Sequence, residues 1–222
     1  MLYSTLLTGL KWLDHGFGTR ADSIPQESMA SLKQIHSGIV LLGDQIGCAG
    51  EGDALVTAVA GVPVSVRTAD CYPILLADDR NRAVAAVHAG WRGTAARIVI
   101  RALDEMDRLY GTEAADVYAA IGPGIGACCY EVGADVAHQF GIEQAGRIDL
   151  AAINRRQLLD AGVAEHRIDV LGGCTKCDAH LFHSYRRDQL AAGRMVSYIA
   201  RPAAALPLGR ERCEVRPGDR AR

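Results

Sequence analysis

The chain is predicted to fold as an α+β domain on mixed β-sheet, with strands outnumbering helices, and three observations carry this. Short β-branched or aliphatic runs recur at Ile39 to Leu42, Ala54 to Val59, Val62 to Val66, Ile74 to Ala77 and Ala83 to Val87. Glycines and an Asp78-Asp79 pair separate them, the pattern of successive short strands. A longer segment, Thr94 to Tyr110, spaces Ile98, Leu103, Met106 and Leu109 between charges and stops at Gly111, as an amphipathic helix does. Strands and helices also fail to alternate in a regular βαβ beat, which argues against a doubly wound parallel sheet.

Taken in order, the chain reaches Phe17 to Arg20 through a turn-like Asp14-His15-Gly16, and Ala21 to Ser31 is polar, a loop with a short helix. The run Ala83 to Val87 reads as a strand buried on both faces. It ends at His88, and Gly90, Trp91, Arg92 and Gly93 form a tight strand-to-helix turn with Thr94 as N-cap. Val117 to Ile121 is a strand entering the loop Gly122 to Gly126; Val132 to Phe140 and Leu150 to Ala161 are helices; Ile168 to Leu171 and Met195 to Ile199 are the last strands. There is no internal repeat. Residues 1–201 form one catalytic domain, and 202–222, rich in alanine, proline and arginine, read as a mobile tail.

Composition narrows the function. With 24 Lys and Arg against 26 Asp and Glu, a net charge of -2 and no basic stripe before the last dozen residues, nucleic acid is a poor partner. No apolar run is long enough to span a membrane, and the first residues lack the charge and cleavage pattern of a signal peptide, so a cytoplasmic protein is expected. Seven cysteines in a chain able to build its own core suit thiols and ligands better than a disulfide framework.

Three segments each present one metal-binding side chain beside backbone-distorting residues: His36 in QIHSG, Cys71 in TADCYP and His88 in VHAGWRG. Two histidines and a cysteine with a fourth position open have the composition of a catalytic zinc site. Arg92 and Arg20 are candidate anion clamps. Gly122 to Gly126 is a weaker candidate, read in preference as a tight turn, and Cys128 and Cys129 beside it read as packing residues. Cys174, Cys177, His180 and His183 lack the long spacer of a zinc finger, so their spacing is read as a decoy.

Read together, QIHS, GDALVT, TADCYPILLAD, AAVHAGWRGT, GPGIGACCYEVG and FHSYRRD resemble the YfiH-like family, also called laccase-domain or multicopper polyphenol oxidase proteins and described as purine nucleoside phosphorylases. The likeness covers roughly residues 15 to 200. It implies a four-layer α/β/β/α fold with mixed sheets and a metal site, usually zinc, on His36, Cys71 and His88. It further implies phosphorolysis of adenosine, inosine and methylthioadenosine with adenosine deamination as a second activity, and a pocket lined by arginines, here Arg20, Arg92 and Arg186 or Arg187, with Tyr130 near the cleft. The segment between Arg20 and Gln34 is shorter than the family's, which shortens one pocket wall.

The expectation is a zinc-dependent purine nucleoside enzyme, monomer or homodimer, acting on nucleosides and phosphate. Cys71, His88, Asp70 and Arg92 are its catalytic residues, with Asp70 as a ligand-orienting or proton-transfer group. Two other enzymes use the same residues. A copper-dependent polyphenol oxidase would place copper in the three-ligand site, although seven histidines without a His-x-His pair do not make a laccase cluster. A cysteine hydrolase would use Cys71 as nucleophile with His88 or His36 as base. The His-x-Glu and Pro-Cys-x-x-Cys strings of the usual zinc deaminases do not occur.

Overall fold

The computed structural model describes residues 1–203; the expected tail falls almost wholly on 204–222, outside the described residues. The N-terminal half comprises α1 (Thr5–Gly9), β1 (Asp14–Phe17), β2 (Ala30–Lys33), β3 (Val40–Leu42), β4 (Gly47–Glu51), β5 (Ala54–Thr57), β6 (Val64–Thr68), β7 (Tyr72–Asp78) and β8 (Val84–Ala89). There follow α2 (Trp91–Ala95), α3 (Ile98–Tyr110), β9 (Val117–Ile121), β10 (Glu131–Val132), α4 (Ala134–His138) and β11 (Gly146–Arg147). The last elements are α5 (Leu150–Asp160), β12 (Ile168–Val170), α6 (Tyr185–Asp188) and β13 (Met195–Ala200).

Two mixed sheets result. One has six strands in the order β12-β9-β7-β8-β5-β3 and the other five in the order β1-β13-β6-β2-β4, while β10 and β11 pair separately. Strand periodicity explains how the sheets stack. Along β7, Ile74 and Leu76 point to the face covered by α3 and α5, whereas Leu75 and Ala77 point to the five-stranded sheet, where they meet Phe17, Val64, Val66 and Ile199. Every β7 and β8 residue is buried, as the continuous apolar runs predict. The layer of α3 and α5, the six-stranded sheet and the five-stranded sheet thus stack in that order, in the α+β fold of mixed sheets that was expected. On the outer face of the five-stranded sheet the short 3-10 turn Gln26–Ser28 lies against β2, with Gln26 Nε2 donating to Ser65 Oγ. No helix among the described residues is long and apolar enough to cross a membrane.

Several elements differ from expectation. Asp14 to Gly16 is not a turn but the start of β1, paired antiparallel with β13. The polar stretch before Gln34 ends in β2, whose parallel partners β4 and β6 are set by long-range pairing and not by local pattern. The helix after His88 begins at Trp91 with Gly90 as N-cap and breaks at Arg97, which adopts φ 57. Thr94 lies inside it, fully buried: its Oγ1 accepts from Asn154 Nδ2 and its carbonyl from Gln157 Nε2, which tie α2 to α5. Val132 belongs to β10, and the helix after it spans only Ala134–His138.

Candidate functional site

Strand register brings the distant residues together. β7 and β8 are antiparallel with Pro73 opposite His88, so Cys71, just before β7, and His88, near the end of β8, share one edge of the sheet. β5 is the other neighbour of β8, with Ala54 opposite Val87, which puts Asp53 at that same edge. His36 arrives from the turn after β2, held in the left-handed region at φ 59. One ligand atom each of His36, Cys71 and His88 lie within 4.8 Å of one another. The imidazole centroids are 5.0 Å apart and nearly perpendicular at 74°.

Asp53, to which the sequence reading gave no role, organises this centre. Its fully buried carboxylate accepts from His88 Nδ1 at 2.8 Å, His36 N at 3.0 Å, Ser37 N at 2.5 Å and Ser37 Oγ at 2.7 Å. Its own carbonyl accepts from His88 N at 2.7 Å. Burial pushes this carboxyl up, but the bonds from His88 and Ser37 outweigh burial and hold it at about 2. The available signal was an acid immediately before a strand buried along its whole length.

Burial likewise raises the Cys71 thiol, yet hydrogen bonds with His36 and His88 hold it down at about 6. Burial lowers His88, while Asp53 and Cys71 together lift it to about 9. Cys71 Sγ thus stands beside the two histidine rings, one of them oriented from behind by a carboxylate. Gly90 permits this approach: a Cβ there would stand 2.8 Å from Cys71 Sγ and 3.3 Å from His36 Cδ2.

The three residues line a cavity of about 770 Å³, within the usual range for small-molecule sites. Arg67, Arg92, Arg186 and Arg194 also line it, with Trp91, Tyr130 and Tyr185 supplying aromatic surface. The Arg92 guanidinium stacks over Trp91 at 4.2 Å. That of Arg186 lies 5.3 Å from the Tyr130 ring centre and donates to Glu131 O at 2.9 Å. Burial pushes the Tyr130 phenol up to about 12, so it remains protonated. Gln34 clasps the Arg67 backbone through two bonds of 2.8 Å, to its carbonyl and from its N–H.

Not every expected residue reaches the cavity. The Arg20 side chain donates to Ala179 O. Arg187 is committed to Asp188 and to the carbonyls of Thr175, Lys176 and Phe182, which suits a residue that braces a loop. Asp70 lines the wall, but its carboxylate accepts from Thr175 Oγ1 and Arg186 N, each at 2.6 Å, so it acts as a clasp between segments. In the loop Gly122 to Gly126, the N–H groups of Gly122, Ile125 and Gly126 donate to Pro73 O, Asp70 O and Cys174 Sγ, leaving none of these three for an anion. Cys128 and Cys129 do not merely pack: their sulfurs meet those of Cys174 and Cys177 in a second cluster, without His180 or His183.

Known proteins resemble this chain in sequence and in fold. A purine nucleoside phosphorylase of Deinococcus radiodurans is 44% identical over 187 residues, covering 79% of this chain and 71% of that protein. An adenosine deaminase from an unknown prokaryotic organism is 38% identical over 163 residues, 67% of this chain and 62% of that protein. The crystal structure of YlmD from Geobacillus stearothermophilus superimposes with a TM-score of 0.76 at 33% identity, covering 81% of this chain and 75% of that one. The family model described as multi-copper polyphenol oxidoreductase laccase matches residues 18–202. The chain, with its paired mixed sheets and its sheet-edge site, therefore belongs to the multi-copper polyphenol oxidoreductase laccase family.

Proposed function

We propose that this protein is a zinc-dependent purine nucleoside enzyme whose main reaction is phosphorolysis of adenosine, inosine and methylthioadenosine, with adenosine deamination as a lesser activity. The observation that carries the proposal is a two-histidine, one-cysteine centre at the wall of a cavity that also gathers four arginines and three aromatic rings. The relatives named purine nucleoside phosphorylase and adenosine deaminase support the substrate class.

The donor set fits zinc: one thiolate and two imidazoles, with Asp53 fixing the tautomer of His88 as a carboxylate does behind a metal-bound histidine. Zinc held by His36, Cys71 and His88 would supply Lewis acidity to an oxygen in the cavity. The remaining work falls to the chain. Arginines hold phosphate by charge-assisted bonds so that one of its oxygens faces the anomeric carbon of the sugar. Attack there forms the sugar-phosphate bond, breaks the glycosidic bond and sends its electrons to the purine. The aromatic side chains offer faces for the purine, and the protonated Tyr130 phenol offers a hydrogen-bond donor. Deamination calls for a free proton-shuttling carboxylate instead, and among the described residues the one carboxylate lining the cavity, Asp70, is already engaged on both oxygens. Phosphorolysis is favoured for that reason.

A cysteine hydrolase is the second reading, because Cys71, His88 and Asp53 also form a nucleophile, base and orienting acid. The second imidazole on the same sulfur favours a metal ligand. One experiment separates these: zinc-loaded protein is incubated with inosine and with adenosine, each with and without phosphate, and products are resolved. Release of hypoxanthine only with phosphate is the expected result. Inosine from adenosine as the sole product would make deamination the main activity, and turnover unchanged after zinc removal would return the site to thiol chemistry.

A further inference from the structure

We infer that Cys128, Cys129, Cys174 and Cys177 form a second, structural zinc site of four thiolates, separate from the His36, Cys71, His88 centre. The four sulfurs lie within 4.8 Å of one another, with Cys128 to Cys177 at 3.8 Å and Cys129 to Cys177 at 3.4 Å. Tetrahedral zinc with sulfur at about 2.3 Å requires sulfurs roughly 3.8 Å apart. A disulfide requires about 2.05 Å, so these contacts suit an ion between the sulfurs better than a bond joining them.

The backbone around the cluster is arranged for thiolates. Cys174 Sγ accepts from Gly126 N at 3.3 Å, and Asp178 N donates to Cys174 O at 2.9 Å, closing a turn over the Cys174-x-x-Cys177 pair. A side chain on Gly126 would crowd this arrangement, since its Cβ would stand 3.3 Å from Cys174 Cβ and 3.4 Å from Cys128 Sγ. Arg187 Nη1 donates to the carbonyls of Thr175 and Lys176, bringing positive charge to a loop that would carry excess negative charge. Four sulfur donors in a tetrahedral set select zinc or iron, and the absence of redox chemistry in the proposed reaction favours zinc. Each thiol that binds releases its proton to solvent.

The site's role follows from what it joins. Cys128 and Cys129 lie between Ile125 and Tyr130, both of which line the cavity. Thr175, inside the knuckle, donates to Asp70 beside Cys71. Zinc here would staple the two segments that form this wall, without touching substrate.

The test uses the full chain, loaded with zinc chloride under reducing conditions and desalted, as wild type and as Cys71→Ser. Cys71→Ser disables the first centre, so the zinc it retains reports the second alone. One zinc per chain with an all-sulfur shell by X-ray absorption is expected, lost on adding Cys177→Ser. In case Cys177→Ser does not fold, alkylation of the intact cluster decides: Cys128 and Cys177 are exposed and should react only after a chelator strips the metal. No zinc retained in Cys71→Ser, nitrogen in its shell, or alkylation at the same rate with and without zinc would each overturn the inference. Equal zinc in wild type and Cys71→Ser, with a four-sulfur shell, would support it while rejecting the first metal centre.

Discussion

Replacing Asp53 with asparagine tests the organisation of the centre most directly, because the side chain keeps its shape and loses one acceptor. One oxygen of Asp53 takes His88 Nδ1 and His36 N, and the other takes Ser37 N and Ser37 Oγ. If the new amide nitrogen stands at the second position, Ser37 N–H faces a donor and goes unpaired. If it stands at the first, His36 N–H goes unpaired and His88 must move its proton to the ring nitrogen needed for metal. Either orientation leaves a part-buried donor without its acceptor and weakens bonds to a charged acceptor, so a loss of about 1–3 kcal/mol is expected. Against a domain stability of about 5–15 kcal/mol this is large. Urea unfolding of the metal-free protein should show a lower midpoint at unchanged slope. Competition with a chelator should show zinc affinity lower by about 10–100-fold. A variant within about 0.5 kcal/mol of wild type with unchanged zinc affinity would refute the role given to Asp53.

Acid titration gives a related outcome: the Asp53 carboxyl is depressed from 3.8 to about 2, so its stabilisation is full above its unfolded value and is lost as pH falls through the folded one. Metal-free wild type should lose about 2 kcal/mol from this group between about pH 4 and pH 2, a limb missing from Asp53→Asn in acid unfolding curves. Gly90→Ala should drive Cys71 Sγ from its place and abolish zinc binding at the first centre, whereas Gly9→Ala, whose Cβ meets nothing within 4 Å, should leave metal content by mass spectrometry unchanged. Arg92→Ala should raise the KM for phosphate by roughly 10–100-fold through loss of a charge-assisted bond, with adenosine deamination little affected. Leu75→Ala, in the fully buried seam between the sheets, should cost about 2–5 kcal/mol in chemical denaturation while sparing zinc stoichiometry.

The strands buried on both faces were legible because their apolar runs are continuous: β9 spans the residues expected, and β7 and β8 differ only at their ends. The short N-terminal strands of the other sheet were not. β1 and β2 carry polar or glycine-rich sequences, and their pairing with β13, β4 and β6 is a long-range choice that local pattern does not encode. Arg20 and Arg187 show the same limit for side chains: each sits in a motif that resembles a pocket motif, yet loop carbonyls close by in space take up the guanidinium.

By itself the sequence determined the α+β character, the buried central strands and three side chains suited to one metal. Only the folded chain decided that Asp53 stands behind His88, because that depends on Ala54 lying opposite Val87 between two strands far apart in sequence. It also decided that Cys128 and Cys129 meet Cys174 and Cys177, since the bridge between Gly124 and Cys174 sets that approach and no spacing rule spans it. Residue type limits what chemistry a position can perform; strand register selects which of those positions act together.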